Sequence, residues 1–229
     1  MDTEDTAAPS DRVRLRRTAT RGRYDRDAVH AVLDAGLVAH VGVSTPEGPV
    51  VLPMAYGRDD DTLYLHGASA NALLGAGVEA ELCATVTLVD GLVLARTPFH
   101  NSMNFRCVVV RGRGRRVTDP AEHRAALVRI TDHVVPTWEL GRPPNDAELR
   151  RTLVLALPLT EASVKVRQGD PVDEPEDLAG PHWAGTVAVR TTFGEPVAAA
   201  DLVAGIDVPD GVSRSVQERA SATARAPGP

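Results

Sequence analysis

Long apolar runs are missing from this 229-residue chain. No stretch of about 18 or more uncharged apolar residues occurs, so no segment reads as a membrane-spanning helix. The N-terminus carries acids and arginines but no apolar signal core, and a soluble, cytoplasmic protein is expected. Cysteine is scarce as well. Cys83 and Cys107 stand in apolar runs and outside metal-ligand spacing, so buried reduced thiols are expected in place of a disulfide framework or a zinc site. No CxxC, HExxH, P-loop or strand-flanked GxGxxG occurs, which removes the signatures of zinc proteases, P-loop nucleotidases and Rossmann dehydrogenases. Lysine is nearly absent, since arginine supplies all but one of the 25 basic residues and Lys165 stands alone. The formal charge of −6 argues against nucleic acid as the main partner, although Arg12–Arg23 and Arg111–Arg116 are locally basic.

What remains is 43% hydrophobic, ample for a packed core in one or two domains. The organising stretch is Glu81–Val117. Leu82–Val89 and Leu92–Arg96 read as antiparallel strands around Asp90-Gly91, a pair suited to the positive φ angles of a tight hairpin. Thr97 to Asn104 then breaks the pattern with Pro98, His100, Asn101, Ser102, Met103 and Asn104, before Phe105–Val110 resumes as a strand. A polar loop held between strands is a natural ligand site, because the strands fix it and leave its side chains available.

Around this centre, residues 1–20 lack periodicity and are expected as a disordered arm. Asp25–Gly36 predicts a helix with Val29, Val32 and Leu33 inward, Asp25 as N-cap and Gly36 in the left-handed C-terminal position. Leu37–Val43, Pro49–Tyr56 and Thr62–His66 read as strands, and Ala68–Gly77 as a weak helix. Asp119-Pro120 opens a second clear helix, with Ala125, Leu127, Ile130 and Val134 as its apolar stripe and Pro136 as its stop. Arg151–Leu157, Ala162–Arg167 and Trp183–Arg190 are further strands. Gln168–Pro181 is an acidic, proline-rich loop, and the chain beyond Pro209 reads as a disordered tail. These elements predict a mainly β protein, a barrel with peripheral helices over residues 21–208.

With the strands placed, the segments RGRYDRDAVHAVLDAG, LVAHVGV, VVLPMAYGRDDDTLYLHGASA, VTLVDGLVLARTPFHNSMNFRCVVVRGRGR and EASVKVRQGDPVD follow one another in an order that resembles the flavin-nucleotide-binding branch of the pyridoxamine 5′-phosphate oxidase-like superfamily. The resemblance implies an FMN-binding split β-barrel, a homodimer with the cofactor at the subunit interface, and an FMN-dependent oxidoreductase acting on a small organic substrate. Carried over by position, it implies that Pro53, Met54 and Tyr56 line the flavin, that His66, Gly67 and Asn71 lie toward the phosphate, and that Thr87 and Leu88 offer backbone bonds to the ring. Ser102, Asn104 and Arg106 match the S-x-N-x-R run of the branch, Cys107 stands where relatives commonly have Ser or Gln, and Lys165 and Trp183 complete the expected cofactor contacts. One departure is plain. Relatives commonly place a Ser-Arg or Ser-Arg-Lys cluster after the His-Gly step, and this chain has Asn71-Ala72-Leu73. A lost guanidinium–phosphate bond is worth about 1.5–3 kcal/mol, so either Arg106, Lys165 or another arginine serves, or the pocket holds a different cofactor. Haem is the alternative, since it needs a single axial protein ligand and His66, His100 or Cys107 could supply it. A non-enzymatic flavin-binding protein is the third reading. No catalytic acid, base or nucleophile is identified, as expected where a cofactor carries the redox chemistry.

Overall fold

Asp25 accepts a hydrogen bond from Ala28 N at 2.8 Å and starts the first helix where its sequence predicts, with Val29, Val32 and Leu33 buried. The computed structural model describes residues 7–69 and 72–225. In chain order its elements are β1 (Gly22–Arg23), α1 (Arg26–Ala35), β2 (Ala39–Thr45), β3 (Gly48–Met54), β4 (Tyr56–Asp59), β5 (Thr62–Ala68), α2 (Ala72–Gly77), β6 (Glu81–Leu94), β7 (Ser102–Arg113), β8 (Arg115–Arg116), α3 (Pro120–Val134), α4 (Asp146–Arg150), β9 (Thr152–Pro158), β10 (Ala162–Arg167), β11 (Gly185–Ala188) and α5 (Asp210–Arg225). One sheet runs β1-β10-β7-β6-β2-β3 with β11 also on β6, and another runs β4-β5-β9-β8. These antiparallel sheets with few helices are the expected split β-barrel fold, and among the described residues the sheets do not close into one ring.

Where a single domain over 21–208 is expected, the chain divides into two compact units. The first comprises the chain up to Leu88 together with Cys107–Lys165. Within it Leu63–Leu65 and Leu153–Leu157 are buried on successive positions, because these strands are covered on both faces. Ala126, Leu127 and Ile130 of α3 close one face over Tyr64, Val154 and Ala156. The stripe expected through Ala125 and Val134 is thus rotated, and Val134 is exposed. The second unit comprises Val89–Arg106 and Val166 onward, and contains β11 and α5.

Several expectations are corrected. Asp90-Gly91 is no hairpin: β6 passes through it without a break, Gly91 pairs with Ala188, and the Asp90 carboxylate holds Arg106 at 2.7 and 2.9 Å. Glycine is needed there for close approach, since a Cβ would lie 3.1 Å from Val187 O. Gly36 has φ −83°, outside the left-handed region. Its small size matters instead, because a Cβ would meet Val86 Cγ1 at 2.2 Å and Tyr56 Oη at 2.9 Å. The strand expected over Pro49–Tyr56 is divided at Ala55, so that β3 belongs to one sheet and β4 to the other.

The described parts of the terminal regions carry structure. The expected arm of residues 1–20 contains a buried Val13 and a hydrogen bond from Leu15 N to Tyr24 Oη at 2.8 Å. The expected tail beyond Pro209 contains α5. No helix among the described residues is long and apolar enough to cross a membrane.

Candidate functional site

The polar loop that dominates the sequence is held mainly by its own bonds. In the second unit Asn101 Oδ1 accepts from Ala95 N at 2.8 Å, and Arg106 forms its two-pronged pair with Asp90. Asn104 is buried and its Oδ1 accepts from Arg167, which also donates to Gly169 O at 2.7 Å and Asp170 O at 2.9 Å. Arg96 bonds Asp173 through its main-chain N and its guanidinium, at 2.8 and 2.9 Å, which ties the acidic loop to the end of β6. His100 Nε2 lies 3.8 Å from Glu174 Oε1. Burying charge is costly unless it is paired; these arginines each have an internal partner, while Arg96 Nε and Asn104 Nδ2 are buried without one among the described residues. Arg106, expected to meet either a carboxylate or, as the family resemblance implies, a phosphate, is paired with a carboxylate. Ser102 is exposed, and Trp183 is exposed with its indole against Gly185.

The first unit holds the other expected contacts. Pro53 lies on β3, the last strand in its sheet, where Val50, Val51 and Leu52 are also exposed, and Met54 is half-buried. The outer edge of β3 has no strand neighbour among the described residues, so this strip offers main-chain hydrogen-bonding groups beside apolar side chains. Thr87 is exposed and Leu88 half-buried on β6. Tyr56, expected at the flavin, is wholly buried instead, and its hydroxyl lies 2.5 Å from Leu33 O and 3.0 Å from Gly36 O. Lys165 is half-buried opposite Gly22. Burial pushes the Cys107 thiol up, so it stays protonated beside the Lys165 main chain, in keeping with an inert core residue. Asn71 lies outside the described residues.

His66 and Gly67 open onto a cleft of about 410 Å³, lined also by Ala68, Glu148, Arg151 and Thr152. The β5–β9 register sets His66 opposite Val154 and Ala68 opposite Thr152, so these side chains share one sheet face. Among the described residues neither ring nitrogen of His66 has a hydrogen-bond partner, and Nδ1 is buried as well. Burial lowers the proton affinity of the ring and keeps it neutral. A neutral imidazole with no internal partner retains a lone pair for a metal. Sequence reasoning missed Glu148, Arg151 and Thr152. A signal was present in Asn145-x-x-Glu148, the capping-box pattern, and both of its hydrogen bonds form at the start of α4.

Comparisons decide the family. A profile described as pyridoxamine 5′-phosphate oxidase matches residues 25–166. The chain belongs to this family. The flavocytochrome Anf3 from Azotobacter vinelandii is 37% identical over 92% of this chain and 99% of its own, with a TM-score of 0.88. The FAD and haem binding protein from Mycobacterium smegmatis is 32% identical over 85% of this chain and 97% of its own, with a TM-score of 0.81. No curated protein matches. Both structural relatives extend the family likeness beyond Val166 into the C-terminal part of the chain.

Proposed function

We propose that this protein is a redox protein that holds a flavin and a haem, with His66 as the residue that would hold the haem iron. The observation that carries the reading is the His66 ring, without a hydrogen-bond partner among the described residues, at a cleft on the sheet face. The likeness to a flavocytochrome and to an FAD and haem binding protein supports it. His100 is the weaker candidate, because Glu174 stands beside it.

When bound, a flavin supplies the link between two-electron and one-electron chemistry, and a haem supplies one-electron chemistry at iron. The chain's part is to bind and orient. The exposed β3 strip of Val50, Val51, Leu52 and Pro53 fits a flat aromatic ring and a second copy of the chain, so the cofactor lies at a homodimer interface in this reading. The flavin is FAD in place of the FMN that the family resemblance suggests. A terminal phosphate carries roughly −1.5 to −2 charges near neutral pH, and Asn71-Ala72-Leu73 supplies no cation for it. Each phosphate of a diphosphate linkage carries a single charge and demands less. The substrate is a small molecule reached through these cofactors, in a soluble, cytoplasmic protein.

The test is an absorption spectrum of protein supplied with flavin and haemin. Flavin bands together with a Soret band are expected, and His66→Ala should lose the Soret band while keeping the flavin bands. Heat-released flavin should chromatograph as FAD, and light scattering should give twice the chain mass. A Soret band that survives His66→Ala removes His66 as ligand, and a protein that takes up neither group ends the proposal.

A further inference from the structure

The cleft beside His66 carries an unmatched positive charge at its rim. Glu148 lines the same cleft, but its carboxylate is already engaged: Arg142 donates to it at 2.6 and 2.9 Å and Asn145 N at 2.8 Å. Those bonds pull the Glu148 carboxyl down to about 2, so it remains an anion bound to Arg142. Arg151 has no such arrangement. Among the described residues its guanidinium has neither an ion-pair nor a hydrogen-bond partner. Its main chain is nevertheless fixed on both sides, with Arg151 N bonded to Ala147 O at 3.2 Å and Arg151 O accepting from Ser69 N at 2.8 Å. A planar five-donor cation therefore projects from an anchored residue at the end of α4, next to the strand that carries His66.

We infer that Arg151 binds a carboxylate of the molecule that occupies this cleft, so that the cleft selects a ligand with an acidic side arm. The inference rests on the haem reading, and the carboxylate is then one of the two haem propionates. The division of labour follows from solvation. The half-buried imidazole serves the iron, while the exposed guanidinium meets the charged arm where water still solvates both partners. Arginine suits this role because its fork matches the two oxygens of a carboxylate. Glu148 contributes by being occupied: were it not held by Arg142, it would neutralise Arg151 and repel the incoming anion. Arg142 is thus a positioning residue for the cleft, acting through Glu148.

The test is a titration of haem-free protein with haemin and with haemin dimethyl ester, in which both propionates are capped, read by the Soret band. With haemin, Arg151→Ala should bind about tenfold or more weakly than wild type, the loss expected for one hydrogen-bonded charge pair. Arg151→Lys should recover part of that loss, and added salt should narrow the gap. With the dimethyl ester, wild type and Arg151→Ala should bind alike. Equal haemin affinity in wild type and Arg151→Ala overturns the inference, as does an Arg151→Ala loss of the same size with the ester. Both outcomes leave the haem reading standing. A wild type that gives no Soret band with haemin overturns the haem reading and this inference together. Circular dichroism of the variants before titration confirms that each is folded.

Discussion

Tyr56→Phe should destabilise the protein without touching the flavin. The Tyr56 side chain is wholly buried, and its hydroxyl reaches the C-terminal end of α1, 2.5 Å from Leu33 O and 3.0 Å from Gly36 O. The last carbonyls of a helix have no partner within it, and Gly36 N satisfies only Val32 O. Gly36 O would keep His133 Nε2 at 2.7 Å, so the carbonyl orphaned by the substitution is Leu33 O. A buried polar group left unmet costs about 1–3 kcal/mol. For a chain of this size each kcal/mol moves the unfolding midpoint by roughly 2–4 °C, so a mid-range loss of about 2 kcal/mol lowers Tm by about 4–8 °C. The assay is thermal unfolding of cofactor-free wild type and Tyr56→Phe by circular dichroism, with flavin affinity measured on both. A Tm shift under about 1 °C would refute the capping argument. A loss of flavin affinity with unchanged Tm would go further and return Tyr56 to the cofactor, where the family resemblance first set it.

Three other outcomes are expected. Because His66 is held neutral in the folded state, the unfolded chain binds the proton first as pH falls, so stability should drop as pH passes down through about 6.5 and level off below the lowered folded value. Tm measured across that range should vary less in His66→Gln, and an identical slope in both proteins would reject the linkage. The Asp90–Arg106 pair has side chains 34% and 37% exposed, so water screens it, and a double-mutant cycle with alanine at both positions should give a coupling of about 0.5–1 kcal/mol; a coupling of zero with a large fall in flavin affinity would reassign Arg106 to the cofactor. Asp173→Ala removes both bonds from Arg96 to the acidic loop and should speed proteolytic cleavage between Gln168 and Pro181, whereas an unchanged cleavage rate would show that the pair does not hold that loop.

Local signals written within a few residues were legible in the sequence. Asp25 and Asp119 cap the helices they predict, and the strands that begin at Thr62 and Ala162 lie close to their expected places, whereas β7 starts at Ser102, inside the expected loop, and runs past the expected strand Phe105–Val110 to Arg113. Signals whose meaning depends on a distant partner were misleading. Asp90-Gly91 has hairpin chemistry, but Arg106 sixteen residues later and Ala188 on β11 convert it into paired strand. Gly36 has the composition of a left-handed cap, but Val86 and Tyr56 decide its role by crowding. Ala125 and Val134 fit a helical stripe as well as Ala126 does, and only the strands beneath α3 select the buried face. The candidate site was legible by half, since His66 stood out beside Gly67 while Arg151 showed no local pattern to distinguish it from other arginines.

The polar residues that looked most like ligands are spent inside the protein. Arg106 is taken by Asp90, Arg96 by Asp173, and Arg167 by Asn104 and two main-chain carbonyls. An arginine already held by a buried or half-buried partner must break those bonds to bind a ligand, and the broken partner is then left unmet. The residues open to a ligand at no such cost are the unpaired cations and the bare main-chain edge. Lys165 has no ion-pair partner among the described residues, Arg151 stands at the cleft, and β3 offers an unpaired edge beside exposed valines. In the proposed reading, cofactor binding would draw on the apolar strip and main-chain edge of β3 together with cations that no carboxylate holds, and would leave the paired arginines undisturbed.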